Sequence, residues 1–399
     1  MITQFISPPI LNFLEEIENL GFSLCLVGGT PRDFFYNKTI GHDFDFEIRP
    51  DQKTNQTIDS WPLYYKKLHQ FLSDKKISYT ELPYLITRVQ FLGVHFEFSS
   101  PRIEKNIPDN FSHHHFEALL DPGLSYELSF SRRDFTINAI GIELHFKKGE
   151  ERIVDPFLGM KDLNEGVIKN ITDDFFLDAV RFLRLIRFKL KFEKFNIDPL
   201  LYQKLSKFNL SKLSLHHFKE ELFKSRPGAF LNKFREIVME QQLTIPPGFQ
   251  FWLNYIFPEN LATQDELLFF VFLQKSEDAQ ALAHFFSMPE KRLKDLKSFY
   301  QSYEAIKHLK AGEISQLLAL PQEEGLKHPI LKDLKNLEEK KEWRLIYPQA
   351  LSTKLLVDWD DWSAIRINND ELTQISPAVR SYYQFYKTLK NLKMKSSHD

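Results

Sequence analysis

The apolar pattern divides the chain into a mixed front half and a helical remainder. Residues 22–29 read as a buried strand ending at Gly28-Gly29, followed by a short helix from about Pro31 to Tyr36. Proline suits that first turn, where its missing N–H is not needed. "DFDFEI" (43–48) alternates with period two, as a half-buried strand does. A helical pattern covers 61–75, and "YLITRVQFL" (84–92) and "VHFEFSS" (94–100) read as strands. Residues 105–130, with Pro, Asn, Ser and three histidines, read as a long irregular segment. "RRDFTINAIGIEL" (132–144) is expected to open a helix at Asp134 and run into another strand. After "DPFLGMKDLNEGVI" (155–168) strand signals almost vanish, and helical patterns fill 178–235 and 248–394. Breaks are expected near "TIPPGF" (244–249), "FPEN" (257–260) and "SMPE" (287–290).

The predicted class is therefore α+β, a mixed-sheet head leading into an all-helical remainder. At 399 residues, two or three domains are expected. An apolar fraction of 43% with 27% charged residues fits a soluble folded chain, and the 38 phenylalanines read mainly as core. Cys25 is the only cysteine, which excludes an intramolecular disulfide or a cysteine-based zinc site and fits a reducing compartment. The start lacks a basic region and turns acidic early, so it is not read as a signal peptide. With no run of eighteen apolar residues, no membrane span is expected and the cytoplasm is the default location. Net charge is −2, yet Arg181–Arg235 holds 14 Lys/Arg against 4 Asp/Glu, a local balance of +10. That segment is either a polyanion-binding surface or a solvated helical face.

Candidate chemistry concentrates in "GGTPRDFFYNKTIGHDFDFEI" (28–48). Asp43 and Asp45 project from one side of a strand, about 7 Å apart. Backbone N–H groups at Gly28 and Gly29, with Arg32 on the adjoining helix, make an anion cradle. Carboxylates beside such a cradle repel a phosphate unless a divalent cation bridges them, and Mg²⁺ held by carboxylates and substrate phosphates is the usual solution. The pattern points to metal held against a nucleoside triphosphate. Further on, Asp178 and Arg181 are spaced to share a helix face, with Arg184 and Arg187 continuing the spacing. One acceptor and one forked donor can read the edge of cytosine or adenine, each with an amino group beside a ring acceptor. The alternative is an intrahelical salt bridge.

These segments resemble the class II tRNA nucleotidyltransferase and poly(A) polymerase family, of the DNA polymerase β-like superfamily. "LVGGTPRDFFYNKTIGHDFDFEI" is similar to its first motif, and "FEFSSPRIEK" (96–105) to the next, with Glu97, Arg102 and Glu104 at matching places. "RRDFTINAI" (132–140) is a near-verbatim match. "DPFLGMKDL" (155–163), "LDAVRFLRLIRF" (177–188) and "LSLHHFKEELFK" (213–224) follow in family order, so the resemblance covers about residues 20–235. It implies a nucleotidyltransferase head over 1–160, a helical neck selecting the nucleobase over 161–240, and an RNA-binding body and tail over 241–399. Asp43 and Asp45 would ligate two Mg²⁺ ions and carry catalysis. Gly28, Gly29 and Arg32 would hold the triphosphate, braced by Asp33. Arg132 or Arg133, with Asp134 and Asn138, would meet sugar and phosphates, and Asp178, Arg181, Arg184 and Arg187 would serve the nucleotide. Asp134 is also a possible helix N-cap, and Glu97 either a third carboxylate or a cross-strand partner for arginine.

The family usually has Glu before the base-reading Asp; here the position is Leu177. Pro31 replaces a β-branched residue. His113-His114-His115 reads as a solvated loop or, less often, a metal site. The segment between Glu104 and Arg132, 27 residues, retains the length of the family's flexible element. No separated His…His-Asp pattern follows residue 240, so the phosphohydrolase module of some relatives is not expected. The expected activity is addition of CCA to tRNA 3′ ends from CTP and ATP, with no membrane and no obligatory protein partner. Poly(A) polymerase, a partial CC- or A-adding enzyme, and an idle RNA-binding scaffold are the alternatives.

Overall fold

A computed structural model of the chain describes residues 2–306 apart from 52–55, 107–115, 212 and 275, with the isolated positions 329 and 333 beyond. The chain divides into two compact units, residues 1–225 with 233–250, and residues 226–232 with 251–399. The His113–His115 run and the Lys-rich C-terminus lie outside the described residues.

In the first unit, helix α1 (Pro8–Asn19) leads into strand β1 (Phe22–Val27), helix α2 (Gly29–Asn37) and strand β2 (Asp43–Pro50). Helix α3 (Trp61–Asp74) precedes three strands, β3 (Tyr79–Leu82), β4 (Ile86–Phe91) and β5 (Val94–Ser99). With β8 (Gly141–His145) and β9 (Glu150–Val154) these form a seven-stranded sheet in the order β3-β4-β5-β2-β1-β8-β9. β2 and β5 run parallel; every other neighbouring pair is antiparallel.

Alternation in β2 decides what each face of this sheet does. Phe44, Phe46 and Ile48 are buried on one face, where Phe46 stacks on Phe98 with ring centroids 5.7 Å apart. Phe13 from α1 and Trp61 and Tyr65 from α3 close that side of the core. Each such side chain contributes about 1.5–3 kcal/mol on burial. Asp43, Asp45 and Glu47 necessarily face the other way. A one-residue slip would send the phenylalanines to solvent, so the core fixes where the carboxylates point.

Three expectations are corrected here. Residues 105–130 are not simply irregular. Strands β6 (Arg102–Asn106) and β7 (Phe116–Leu120) form an antiparallel pair, and helix α4 (Tyr126–Phe130) follows, capped by Ser125. Alternation in so short a strand as "FEALL" is too brief to stand out against the loop residues before it. Second, Asp134 does not open an α-helix: a single 3₁₀ turn, Thr136–Asn138, has Phe135 at its cap. The Asp134 side chain instead accepts from Phe135 N and Asn138 Nδ2, both at 2.8 Å. Third, the glycine pair is not within the strand, which stops at Val27, and the helix already begins at Gly29.

The strand β9 is followed by α5 (Gly159–Glu165), the short pair β10 (Val167–Ile168) and β11 (Asn196–Ile197), and α6 (Ala179–Lys191) between them. A side chain at Gly159 would place its Cβ 2.2 Å from the Thr136 carbonyl oxygen, so this glycine lets α5 press against the turn after Asp134. Helix α6 buries Phe182, Leu183, Leu185 and Ile186, leaving Arg181, Arg184 and Arg187 on a separate stripe. Helices α7 (Pro199–Gln203) and α8 (Leu215–Phe223) follow, and Phe182 packs on Phe208 and Phe234.

Helix α9 (Pro227–Glu240) is divided between the units, its residues up to Asn232 counted with the second and those from Lys233 with the first. The described part of the second unit is built from α10 (Gln264–Gln274), α11 (Ser276–Phe285) and α12 (Glu290–Ile306). Trp252 packs there on Phe285 and Phe286, and Asn232 bonds both the N–H and the carbonyl of Phe257. The expected breaks near 244–249, 257–260 and 287–290 fall between α-helices or at their ends, although the first runs into a 3₁₀ helix, Pro247–Asn254, and Glu290 already opens α12. No helix among the described residues is long and apolar enough to cross a membrane.

Candidate active site

At the end of β2, Asp45 lies opposite Val27 on β1 and Glu97 on β5, while Asp43 lies opposite His95. Gly28 has φ of +81°, and a Cβ there would sit 2.8 Å from Asp45 Oδ2. Backbone conformation and the approach of the carboxylate thus both demand glycine. The Thr30 hydroxyl donates to the Asp43 carbonyl at 2.7 Å, tying the start of α2 to the strand. Surrounding protein raises the Asp45 carboxyl to about 6, reinforced by Glu97 and Asp43 and opposed by Arg133 and Arg88. Burial first, and Glu97 and Asp43 after it, make the Asp45 carboxylate costly to keep charged, and Arg133 and Arg88 offset that only in part. That is the condition a bound divalent cation relieves, and an all-oxygen donor set suits Mg²⁺. Among the described residues no group of three or more His, Cys, Asp or Glu side chains converges as a complete metal cage. Two carboxylates would need substrate oxygens to complete the shell. Glu97 stands opposite Asp45 on the neighbouring strand and accepts from Arg88 Nε at 2.8 Å, the cross-strand pairing that was one of its two expected roles.

Asp45 borders a cavity of about 410 Å³ that gathers residues from four separate segments. Gly28, Gly29 and Arg32 come from the cap and first turn of α2, Arg132, Arg133, Asp134 and Asn138 from the segment after α4, and Asp178, Arg181, Arg184, Arg187 and Phe188 from α6 and its cap. Of the expected site residues, only Asp33 and Asp43 do not line it.

The six arginines fall into two groups. Arg32 is fully engaged: it forks onto Asp33 at 2.8 and 2.9 Å, donates to Asn138 Oδ1 at 2.5 Å, and lies over the Phe188 ring. Arg184 pairs with Asp134 at 2.6 Å and Arg187 pairs with Glu221. Burial alone would raise the Asp134 carboxyl, but Arg184, Asn138 and the Phe135 N–H hold it down at about 2. These three arginines are struts. The other three keep unspent donors: Nε of Arg132, Nε of Arg133 and Nη1 of Arg181 are buried with no hydrogen-bond partner among the described residues. Burial and the neighbouring Arg102 and Arg133 depress Arg132 to about 9, which leaves it charged at neutral pH. Buried donors left unpaired are costly, and an anionic ligand supplies the missing acceptors.

Asp178 is the N-cap of α6, extended at φ −111°, and accepts from Val180 N at 2.8 Å. It does not sit on the helix face proper, yet its second oxygen stays 3.9 Å from Arg181 Nε. Arg181 Nη2 donates to the Arg132 carbonyl at 2.7 Å. Leu177, where a carboxylate was expected from the resemblance, is 58% exposed and orients nothing there.

A second cavity, of about 480 Å³, lies on the other flank of the same carboxylates. Asp43, Asp45 and Glu97 border it together with Tyr79, Thr80, Arg88, Gln90 and His95.

Sequence reasoning did not single out Phe188, Lys191 or, apart from Asp43, Asp45 and Glu97, the residues of this second cavity. Phe188 stood in the quoted helix motif, and its place one turn after Arg184 was the available signal. Lys191 reads as an exposed surface lysine, but its Nζ bonds Asp33 at 2.9 Å and ties α6 to α2. The +10 segment is also less free than its count implies. Arg184, Arg187, Lys191, Lys204, Lys207, Lys224 and Lys233 all form ion pairs.

Comparison with known proteins bears out the resemblance. Residues 24–169 match the model of the poly A polymerase head domain. The chain is 29% identical over 238 residues to a CCA-adding enzyme of Lactobacillus helveticus, covering 58% of this chain and 53% of that protein. It is 36% identical over 110 residues to a multifunctional CCA protein of Polaromonas naphthalenivorans, about 26% of each chain. The chain thus spans about half the length, or less, of the curated relatives it matches. Among solved structures, an apo form of a CCA-adding enzyme superposes with a TM-score of 0.59 at 18% identity, covering 98% of this chain and 94% of that one. The Thermotoga maritima CCA-adding enzyme complexed with tRNA gives 0.57 at 16% identity, covering 98% and 93%. The fold is that of these proteins, with a polymerase-type head.

Proposed function

We propose that the chain is a template-independent RNA nucleotidyltransferase that adds CCA to tRNA 3′ ends from CTP and ATP, acting in the cytoplasm. The observation that carries this reading is the arginine-lined cavity beside Asp45, whose unspent donors call for a polyphosphate. The relatives it matches carry the names CCA-adding enzyme and multifunctional CCA protein.

In this reading, residues 1–160 form the catalytic head, 161–240 the nucleobase-selecting neck, and 241–399 the RNA-binding body and tail. Arg132, Arg133 and the Gly28-Gly29 turn hold the triphosphate, while Arg32, Asp33, Asp134, Asn138, Arg184 and Arg187 keep that wall in place. The RNA 3′-hydroxyl attacks the α-phosphate in line, a new phosphodiester forms, and pyrophosphate leaves. Mg²⁺ bound by Asp43 and Asp45 would neutralise phosphate charge and lower the pKa of the attacking hydroxyl. Asp178 accepts the amino proton shared by cytosine and adenine, and Arg181 donates to the adjoining ring acceptor. Uracil and guanine offer a carbonyl where Asp178 needs a donor, so both are disfavoured. The second cavity takes the acceptor end, so that the two substrates meet across the carboxylates.

The test is to incubate the protein with tRNA lacking its CCA, supplying CTP and ATP singly and together, and to sequence the product ends. CTP alone should give CC, and both together CCA. A-tracts from ATP alone would identify a poly(A) polymerase instead, and no addition would leave an RNA-binding scaffold.

A further inference from the structure

Strand β2 carries a third acidic side chain on the face of Asp43 and Asp45, and this one is buried. Glu47 is 1% exposed. One of its oxygens accepts from Arg49 Nε at 3.0 Å, and the other accepts from the Ser129 hydroxyl. Arg49 in turn donates to the Leu124 carbonyl and lies 4.0 Å from the centre of the Tyr126 ring. The Tyr126 hydroxyl donates to Glu143 on β8, which also pairs with Arg152. Leu124, Tyr126 and Ser129 all belong to α4 and the residues just before it. That helix ends at Phe130, two residues before Arg132.

A buried ion pair is poor stabilisation, because desolvating both charges offsets most of their attraction. Its distinctive property is geometric: a forked guanidinium and a carboxylate with several partners accept only one arrangement. Here the arrangement joins the strand bearing Asp43 and Asp45 to the short helix that delivers Arg132 and Arg133. We propose that Glu47 and Arg49 form a positioning clamp that holds these two arginines in register with the carboxylate strand, setting affinity for the incoming triphosphate. The clamp extends to α6 through the Arg132 carbonyl that receives Arg181. Neither Glu47 nor Arg49 lines the cavity, so they act through the arginines and not on the nucleotide.

This inference rests on the function proposed above, and the test separates the two. Binding of a non-hydrolysable CTP analogue and steady-state KM and kcat for CTP and ATP are measured on the wild type, Glu47→Gln and Ser129→Ala. Glu47→Gln keeps size and an acceptor for Ser129 but loses the charge facing Arg49. It should weaken analogue binding and raise KM for both nucleotides by about 10-fold, with kcat and the CTP/ATP ratio changed less than about twofold. Ser129→Ala, which removes one hydroxyl, should give the same pattern at roughly threefold and decides the matter should Glu47→Gln not fold. A folded variant that melts earlier yet binds the analogue like wild type makes the cluster mere core and overturns the clamp. A wild-type protein that neither binds the analogue nor incorporates nucleotide overturns the proposed function, and the clamp's role with it.

Discussion

The two cavities that share Asp45 differ far more in charge than in size. The smaller, about 410 Å³, is walled by Arg32, Arg132, Arg133, Arg181, Arg184 and Arg187. The larger, about 480 Å³, has Arg88 as its one arginine among the described residues, and Glu97 takes that charge. A triphosphate carries several negative charges and needs fixed cations in a desolvated wall. The 3′ end of an RNA brings one phosphodiester and neutral hydroxyls, which Thr80, Gln90 and His95 can meet. Two cavities of opposite character on one carboxylate ridge suit the two substrates of the proposed phosphoryl transfer. The division within the cationic wall is equally instructive: arginines paired with Asp33, Asp134 and Glu221 build the wall, and in the proposed function those with unspent donors hold the triphosphate.

The largest effect should come from the ridge itself. Asp43→Ala or Asp45→Ala should reduce incorporation of both CTP and ATP to below about 1% of wild type while leaving tRNA affinity essentially intact. Filter binding beside primer extension checks this. Retained turnover in the presence of Mg²⁺ would remove the carboxylates from catalysis.

A smaller and more selective effect is expected at Asp178. Its removal should lower kcat/KM for CTP and ATP by about 5- to 150-fold and narrow their advantage over UTP and GTP. Because Asp178 also caps α6, Asp178→Ala should in addition destabilise the fold by about 1 kcal/mol. Asp178→Ser keeps a cap acceptor, so it should lose discrimination with little loss of melting temperature. Wild-type discrimination in Asp178→Ser would move base selection elsewhere. Leu177→Glu should leave selectivity unchanged or sharpen it.

Lys191→Ala tests the strut group at its exposed edge. The Lys191–Asp33 pair is partly solvated, so its loss should raise nucleotide KM by only about two- to threefold. A tenfold rise would put Lys191 in the phosphate seat.

The smallest effect concerns acid stability. The folded Asp134 carboxyl lies near 2, below its unfolded value, so its contribution is full above about pH 4 and is lost as pH falls toward 2. The contribution is on the order of 2 kcal/mol. Urea melts of wild type and Asp134→Asn should differ at pH 6 and converge near pH 2. A constant difference would mean that Asp134 is not charged in the folded protein.

Much of this was legible in the chain. Alternation in β2 fixed which face Asp43 and Asp45 occupy, because three buried residues on the opposite face allow one register only. The glycine turn was legible for the same reason, since positive φ and the 2.8 Å approach admit no other residue. Pairing was not legible. Motif spacing shows six arginines but cannot show that Arg184 and Arg187 are committed to Asp134 and Glu221, because those contacts join residues 50 and 34 positions apart. For the same reason the +10 count overstated the free positive surface. Asp178 was read as a helix-face residue since a three-residue spacing is the same for an N-cap and its first turn. Glu47 went unremarked because nothing local distinguishes a buried glutamate from an exposed one.

The division of labour between the two cavities is the central claim, and a paired kinetic measurement tests it most directly. Steady-state KM for nucleotide and for CCA-less tRNA is determined separately in Arg133→Ala and in Gln90→Ala. Arg133→Ala should raise KM for CTP and ATP by about 10-fold and leave KM for tRNA unchanged, whereas Gln90→Ala should raise only KM for tRNA. The reverse pattern, or an equal rise of both constants in both variants, would contradict it.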